Sequence, residues 1–222
     1  MEVNTVLVHE LKAPLAVLRQ LALVFPDSDE KTKHLRAEMI SVSERALKQI
    51  GDLAKIARLE DGLFEMEPIA IRGLCDEIKH EIDYLFSYNK RTLTLEYKNK
   101  SPLVTANRDL LYSVIYNFLV NAIRYSSEDT KTTLSISDTK NKIRVNVRDF
   151  GPALPTKIWR DFRVGNINQP TVVSMRPDST GLGLFIATKF SRFLNAEVGA
   201  IRHHDGTSFF IDLPISKQAS LL

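Results

Sequence analysis

Apolar positions along the first 60 residues recur at steps of three and four. Val3, Leu7, Leu11, Leu15, Leu18, Leu21 (or Ala22) and Phe25 form one stripe, and Leu35, Met39, Val42, Ala46, Ile50, Leu53 and Ala57 form a second. That period predicts two amphipathic helices. "FPDSDE" separates them, with Asp27 or Ser28 as the expected cap of the second helix, Glu30 in its first turn and Gly62 at its end. A hairpin with one seam on each helix is too thin to bury both. A second copy would complete a four-helix bundle, so a homodimer is expected. Within the first helix, Pro14 has no N–H to give the carbonyl of Glu10, beside His9, which predicts a bend there. A surface histidine near a kink is the plainest reading of "HELKAP" taken alone.

After residue 62 the period changes. "LFEMEPIAI", "RTLTLEYKN" and "PLVTAN" read as strands, residues 71–89 and 107–125 as helices, and "KTTLSISDT" with "NKIRVNVRDFG" as a hairpin turning at Lys140 and Asn141. Residues 151–180 show no clean period and are punctuated by Gly151, Pro152, Pro155, Gly165, Pro170 and Pro177. So long a loop in a compact domain is expected to be a lid or binding loop. A helix over 181–194 and a final hairpin from "AEVGAIRHH" and "TSFFIDLP" complete the chain. Strands interleaved with helices on one side predict an α+β sandwich. The expected organisation is therefore a helical hairpin over 1–62 and an α+β domain over 66–216, with a lid at 151–180.

Composition narrows the function classes. The chain has 222 residues, is 44% hydrophobic and 26% charged, and carries a net charge of +3. Its basic residues are scattered, which gives no footprint for nucleic acid. The one cysteine, Cys75, cannot form an internal disulfide, so a reducing, cytoplasmic compartment is expected, and its helical surroundings suit a small core residue. No apolar run reaches the ~18 residues of a membrane span.

Three constellations carry candidate chemistry. In "NFLVNAIRYS", Asn117 and Asn121 lie one turn apart on one helical face. They are either plain helix-surface residues or carbonyl ligands for a hydrated Mg²⁺ and a phosphate. In "VRDFGPALP", Asp149 leaves a strand two residues before Gly151. This is either an ordinary strand-to-turn exit or a carboxylate placed for the exocyclic amine of adenine. In "STGLGLFIATKF", Gly181 and Gly183 open a helix, either as a flexible junction or as a close approach for phosphate to the helix N-terminus.

Taken in order, "HELKAP", "NFLVNAIRYS", "DFGPALP", "TGLGLFIA" and "GTSFFIDLP" resemble the sensor histidine kinases of two-component signalling across essentially the whole chain. "KIWRDFRVG" is a looser match to the family's phenylalanine box, with Phe162 in register. The resemblance implies a dimeric phospho-acceptor hairpin followed by a Bergerat-type ATP-binding domain. It makes His9 the phospho-acceptor and Glu10 the group that orients the ring or takes its proton. Asn117 and Asn121 would hold Mg²⁺, Arg124 would contact phosphate where the family usually has Lys, Tyr125 would pack on adenine and Asp149 would read its amine. Gly151, Gly181 and Gly183 would shape the lid hinge and the phosphate cradle. ATP and Mg²⁺ are the implied cofactors, and the receiver domain of a response regulator the implied partner, with any sensing or membrane segment upstream of residue 1 or on another chain. The sequence departs from the family pattern at Ala13, where Thr or Asn is common, at Ala153, which replaces the second glycine of its box, and at Asn107, where an acidic residue is frequent. The Ala13 departure implies weak phosphatase activity. A catalytically weak scaffold that binds a regulator, or a Bergerat-fold ATPase or Ser/Thr kinase, are the alternatives.

Overall fold

The computed structural model describes residues 2–26, 28–98, 103–139, 141–163, 167 and 181–217, with side chains for all of these but 2–10 and 163. The expected cap Asp27, the turn residue Lys140 and most of the expected lid, including Gly165, Pro170 and Pro177, lie outside the described residues. The chain divides into two compact units, Met1–Leu63 and Phe64–Leu222.

The first unit is a helical hairpin of α1 (Glu2–Val24) and α2 (Glu30–Ala57), followed by one 3₁₀ turn at Leu59–Asp61 and a left-handed Gly62. Pro14 lies inside α1 without ending it. The cap of α2 is Asp29. Its Oδ1 accepts from the Thr32 amide at 2.8 Å, while the Thr32 hydroxyl accepts from the Asp29 amide at 3.0 Å. Two orphan donors are thus satisfied reciprocally. The last turn of α1 contains no basic residue, and Arg36 of α2 supplies the missing donors to the carbonyls of Ala22 and Leu23 at 3.2 and 2.8 Å. Arg19 and Glu44 tie the helices midway at 2.9 Å. Along this hairpin Leu11, Leu18, Leu21, Leu35, Met39 and Val42 are 41–55% exposed. These are positions of the two sequence stripes.

The second unit is α+β, with a mixed five-stranded sheet. It comprises β1 (Glu67–Ala70), α3 (Ile71–Tyr88), β2 (Thr92–Tyr97), β3 (Leu103–Ala106), α4 (Arg108–Tyr125), β4 (Lys131–Thr139), β5 (Lys142–Arg148), α5 (Thr156–Arg163), α6 (Leu182–Phe193), β6 (Glu197–His203) and β7 (Gly206–Pro214). The main sheet has the order β2-β4-β5-β7-β6, parallel only between β2 and β4, and β1 pairs with β3 separately. In β5 burial alternates strictly, with Ile143, Val145 and Val147 inward and Lys142, Arg144, Asn146 and Arg148 less buried. α4 is the central helix, burying Leu110, Leu111, Val114, Ile115, Phe118, Leu119 and Ala122. Cys75 is fully buried in α3, as its surroundings imply, and burial pushes its thiol well above the ordinary range. Among the described residues no helix is long and apolar enough to cross a membrane.

Two expectations are corrected: the cap of α2 is Asp29 and not Asp27 or Ser28, and the stretch 151–180 is not a loop throughout. The stretch expected to be an aperiodic loop over 151–180 contains a helix, α5. The flanking Pro152 and Pro155 masked it. Trp159 and Phe162, three residues apart, form its inner face. Phe162 is fully buried and packs edge-on against Phe118 of α4 and Phe209 of β7, at ring separations of 6.4 and 5.9 Å. The Trp159 indole N–H donates at 2.9 Å to the carbonyl of Ala200 in β6, the edge strand, and so satisfies a backbone group the sheet leaves unpaired.

Candidate nucleotide site

α4 sets the first wall. The side chain of Asn107 caps it by accepting from the Leu110 amide at 3.2 Å, and its amide group donates at 2.9 Å to the carbonyl of Glu65. Capping is the role that the structure gives to this departure from the family pattern. On the flank of α4, Asn117 is 7% exposed. Its Nδ2 donates to the main-chain carbonyl of Ser113 at 2.8 Å, which fixes the orientation of the amide. Its Oδ1 then faces the first turn of α6, and a Cβ placed on Gly183 would lie 3.2 Å from that oxygen. Glycine at 183 lets the backbone of α6 come close to the Asn117 carbonyl.

Gly181 is the N-cap of α6 with a φ of 63°, and among the described residues no side chain caps the helix. The amino end of α6, the positive end of its dipole, favours an anion, and an asparagine carbonyl stands beside it. Asn121 and Arg124, one and two turns beyond Asn117, are half-buried, and the Arg124 guanidinium carbon lies 5.6 Å from the ring centre of Tyr125.

The second wall is the exit of β5. Asp149 is 3% exposed, so its carboxylate needs partners. Its Oδ1 accepts from the amide of Thr207 at 2.9 Å, and its own amide donates to the carbonyl of Thr207 at 2.9 Å. The Thr207 hydroxyl accepts from the amide of Leu154 at 3.2 Å. Gly151 then runs against the end of α4, where a Cβ would meet the carbonyl oxygen of Tyr125 at 2.0 Å. That close approach of two backbones joins the walls, with the Ser127 amide donating to the Phe150 carbonyl at 2.9 Å.

The structure therefore gathers Asn117, Asn121, Arg124 and Tyr125 on α4, Asp149 and Gly151 at the β5 exit, and Gly181 and Gly183 at the start of α6. His9 and Glu10 lie on α1 in the other unit, placed by backbone alone. Sequence reasoning missed Thr207 and Gly206. Their signal was the Gly-Thr pair opening "GTSFFIDLP", a segment noticed only for its place in the motif order. The donor set fits a nucleoside triphosphate and a hard cation: carbonyl oxygens for the cation, the amino end of α6 for phosphate and a fixed buried carboxylate for a base amine.

The chain is similar to known histidine kinases along most of its length. Over 230 residues the chain is 26% identical to the adaptive-response sensory kinase SasA of Synechocystis sp., covering 96% of this chain and 59% of that protein. It is also 26% identical to the histidine protein kinase SaeS of Staphylococcus aureus, covering 93% of this chain and 61% of that protein. The chain thus spans about three-fifths of the length of these curated relatives. Among solved structures, full-length ShkA in complex with AMPPNP shares the fold over 99% of this chain and 47% of its own, with a TM-score of 0.70 at 21% identity. The histidine kinase AdeS of Acinetobacter baumannii shares it over 94% of this chain and 98% of its own, with a TM-score of 0.62 at 19% identity. The model of the histidine kinase-, DNA gyrase B- and HSP90-like ATPases matches residues 106–217, a span holding α4, the β5 exit, α6 and the Thr207 strand. By that match the chain belongs to the family of histidine kinase-, DNA gyrase B- and HSP90-like ATPases.

Proposed function

We propose that the protein is an ATP-dependent protein-histidine kinase of two-component signalling. The observation that carries this reading is the pairing, in one chain, of the Asp149–Thr207 and Asn117–Gly183 geometry with a helical hairpin bearing a His-Glu pair. In the reaction the γ-phosphoryl group of ATP passes to a ring nitrogen of His9, ADP leaves, and the phosphoryl group then goes to an aspartate of a response regulator. Near pH 7 an ordinary imidazole is mostly neutral and nucleophilic. Glu10 orients the ring or accepts its remaining N–H proton as charge develops. Asp149, held by Thr207, accepts from the exocyclic amine of adenine, and Tyr125 packs against the base. The amino end of α6 and Arg124 bind the phosphates, with Gly181 and Gly183 keeping side chains out of their path. Asn117 and Asn121 present carbonyl oxygens suited to Mg²⁺, which when bound would neutralise phosphate charge, the main requirement of phosphoryl transfer. Incubation with labelled ATP and Mg²⁺ tests the reading: acid-labile, alkali-stable phosphate on the protein supports it, and ATP hydrolysis without protein labelling would turn the assignment to a plain ATPase.

The same reading makes the protein a homodimer through residues 1–62, because burial of apolar side chains contributes about 25 cal/mol per Å² and the hairpin leaves Leu11, Leu18, Leu21, Leu35, Met39 and Val42 exposed. A dimeric mass at micromolar concentration by light scattering is expected, lost when Leu18 and Met39 are both changed to Glu. A monomeric mass for the unaltered chain would refute it.

Ala13 follows His9 by one turn on the same helical face. Hydrolysis of a regulator's acyl phosphate needs a water held in line with phosphorus, and a methyl group holds none. The wild type is thus expected to show little phosphatase activity. Ala13→Thr is expected to raise regulator dephosphorylation by up to about tenfold, the worth of one well-placed hydrogen bond to the water, with autophosphorylation within a few-fold. Rapid dephosphorylation by the unaltered protein, above the regulator's own decay, would show that another group positions the water.

A further inference from the structure

Arg148, the last residue of β5, has no part in the site as described, yet its guanidinium joins everything behind Asp149. Its side chain is only 17% exposed. Nη2 donates to Oδ1 of Asp205 at 2.6 Å, in the turn between β6 and β7 and 57 residues away. Nη1 donates to the main-chain carbonyl of Asp149 itself. The guanidinium carbon stands 4.3 Å from the ring centre of Phe150. Gly206, with a φ of 147°, passes directly over this arrangement, and a Cβ there would sit 2.6 Å from Nη1. The next residue, Thr207, donates the amide hydrogen bond that holds the Asp149 carboxylate.

One planar cation thus ties the strand bearing Asp149 to the turn that supplies its partner. A guanidinium suits the task because its donors point along several fixed in-plane directions while its face stacks on an aromatic ring. A lysine ammonium carries its three donors on one atom and has no planar face to stack on the ring. Release of the turn would let the Thr207 amide move, and the carboxylate would lose its fixed direction. It would keep its charge, but not its aim at a particular base.

We propose that Arg148, with Asp205, is a positioning residue that sets base specificity: by pinning the β6–β7 turn it aims Asp149, and so favours adenine over bases without the exocyclic amine. This rests on the reading above that Asp149 accepts from that amine.

The test compares ATP with ITP, whose base carries a carbonyl in place of the amine. Binding to the full chain is measured calorimetrically with Mg²⁺ for wild type, Arg148→Met, Arg148→Lys, Asp205→Asn and the Arg148→Met/Asp205→Asn double variant. A hydrogen bond to a charged group corresponds to roughly tenfold or more in affinity, so wild type is expected to prefer ATP by at least that factor. Arg148→Met is expected to lower ATP affinity by about tenfold, by the same reasoning, and to leave ITP affinity nearly unchanged. Arg148→Lys falls between the two, Asp205→Asn moves the ratio in the same direction, and the double variant is no worse than Arg148→Met, since both act through one contact. A parallel loss for ATP and ITP would show a merely structural role, and an unchanged ratio would show none; either overturns the proposal. Absence of ATP preference in the wild type would overturn the reading of Asp149, and this inference with it. Asp205→Asn alters only a partly exposed side chain that meets Arg148 and the neighbouring His204, so the ratio remains measurable if Arg148→Met does not fold.

Discussion

His9→Ala is expected to lower phosphate incorporation by about three orders of magnitude or more, the scale of removing a covalent nucleophile. ATP affinity should stay within a few-fold of wild type. The two halves of that expectation have different origins. The acceptor lies on α1, in the unit Met1–Leu63, while the residues gathered around Asn117 and Asp149 all belong to the unit Phe64–Leu222. Alanine is also the best helix former, so the substitution should leave α1 intact. Labelled ATP with acid and alkali treatment of the product reads the first half, and calorimetric titration reads the second. Equal incorporation by the variant would displace the acceptor from His9, and His34 and His80, both exposed, become the next residues to test. Concurrent loss of ATP binding would contradict the independence of the two units.

The second large effect is expected at Gly206. Its φ of 147° belongs to a region that side chains rarely enter, at a cost of roughly 1–3 kcal/mol. A Cβ would also lie 2.2 Å from the carbonyl oxygen of Asp149, a backbone atom that cannot swing aside. Overpacking of this kind costs typically about 1–3 kcal/mol more. For Gly206→Ala the sum, about 2–6 kcal/mol, corresponds to a fall in melting temperature of roughly 4–24 °C in a chain of this size. Because the displaced atom belongs to Asp149, ATP affinity should fall by more than about tenfold, the loss of one charge-assisted hydrogen bond. Gly73→Ala is the control. It lies exposed in α3 with nothing within 4 Å of an added Cβ, so alanine should stabilise by about 0.5–1 kcal/mol. Scanning calorimetry and nucleotide titration on both variants decide the matter. A Gly206→Ala protein that melts and binds like wild type would show that the turn does not hold Asp149.

The contrast between these glycines also shows what was legible in the sequence. The alternation in "KIRVNV" and the apolar face of α4 are local patterns, and the strand β5 and the helix α4 follow them within a residue or two. The motif spacings placed Asn117, Asp149 and Gly183 on the right elements for the same reason. The partners that orient them were not legible. Thr207 meets Asp149 across 58 residues, and Arg148 meets Asp205 across 57, contacts created by the β5–β7 pairing that no periodicity announces. The cap of α2 was misplaced onto Asp27 or Ser28 because three polar residues in a row compete for it. Only the reciprocal Asp29–Thr32 bonds decide among them. The helix α5 was hidden because Pro152 and Pro155 read as loop punctuation. Pro155 stands at the cap position, where a missing N–H costs the helix nothing, and its carbonyl accepts from the Trp159 amide at 3.0 Å.

Trp159 is the only tryptophan in the chain, and it sits where α5 meets the sheet edge. The protein therefore carries an intrinsic optical gauge of that junction. With its N–H engaged by the Ala200 carbonyl, the indole emits from a half-buried, hydrogen-bonded setting. Undocking of α5 would replace that carbonyl by water, shift the emission to longer wavelength and open the ring to iodide quenching. Neither signal needs a label, and no second indole contributes background.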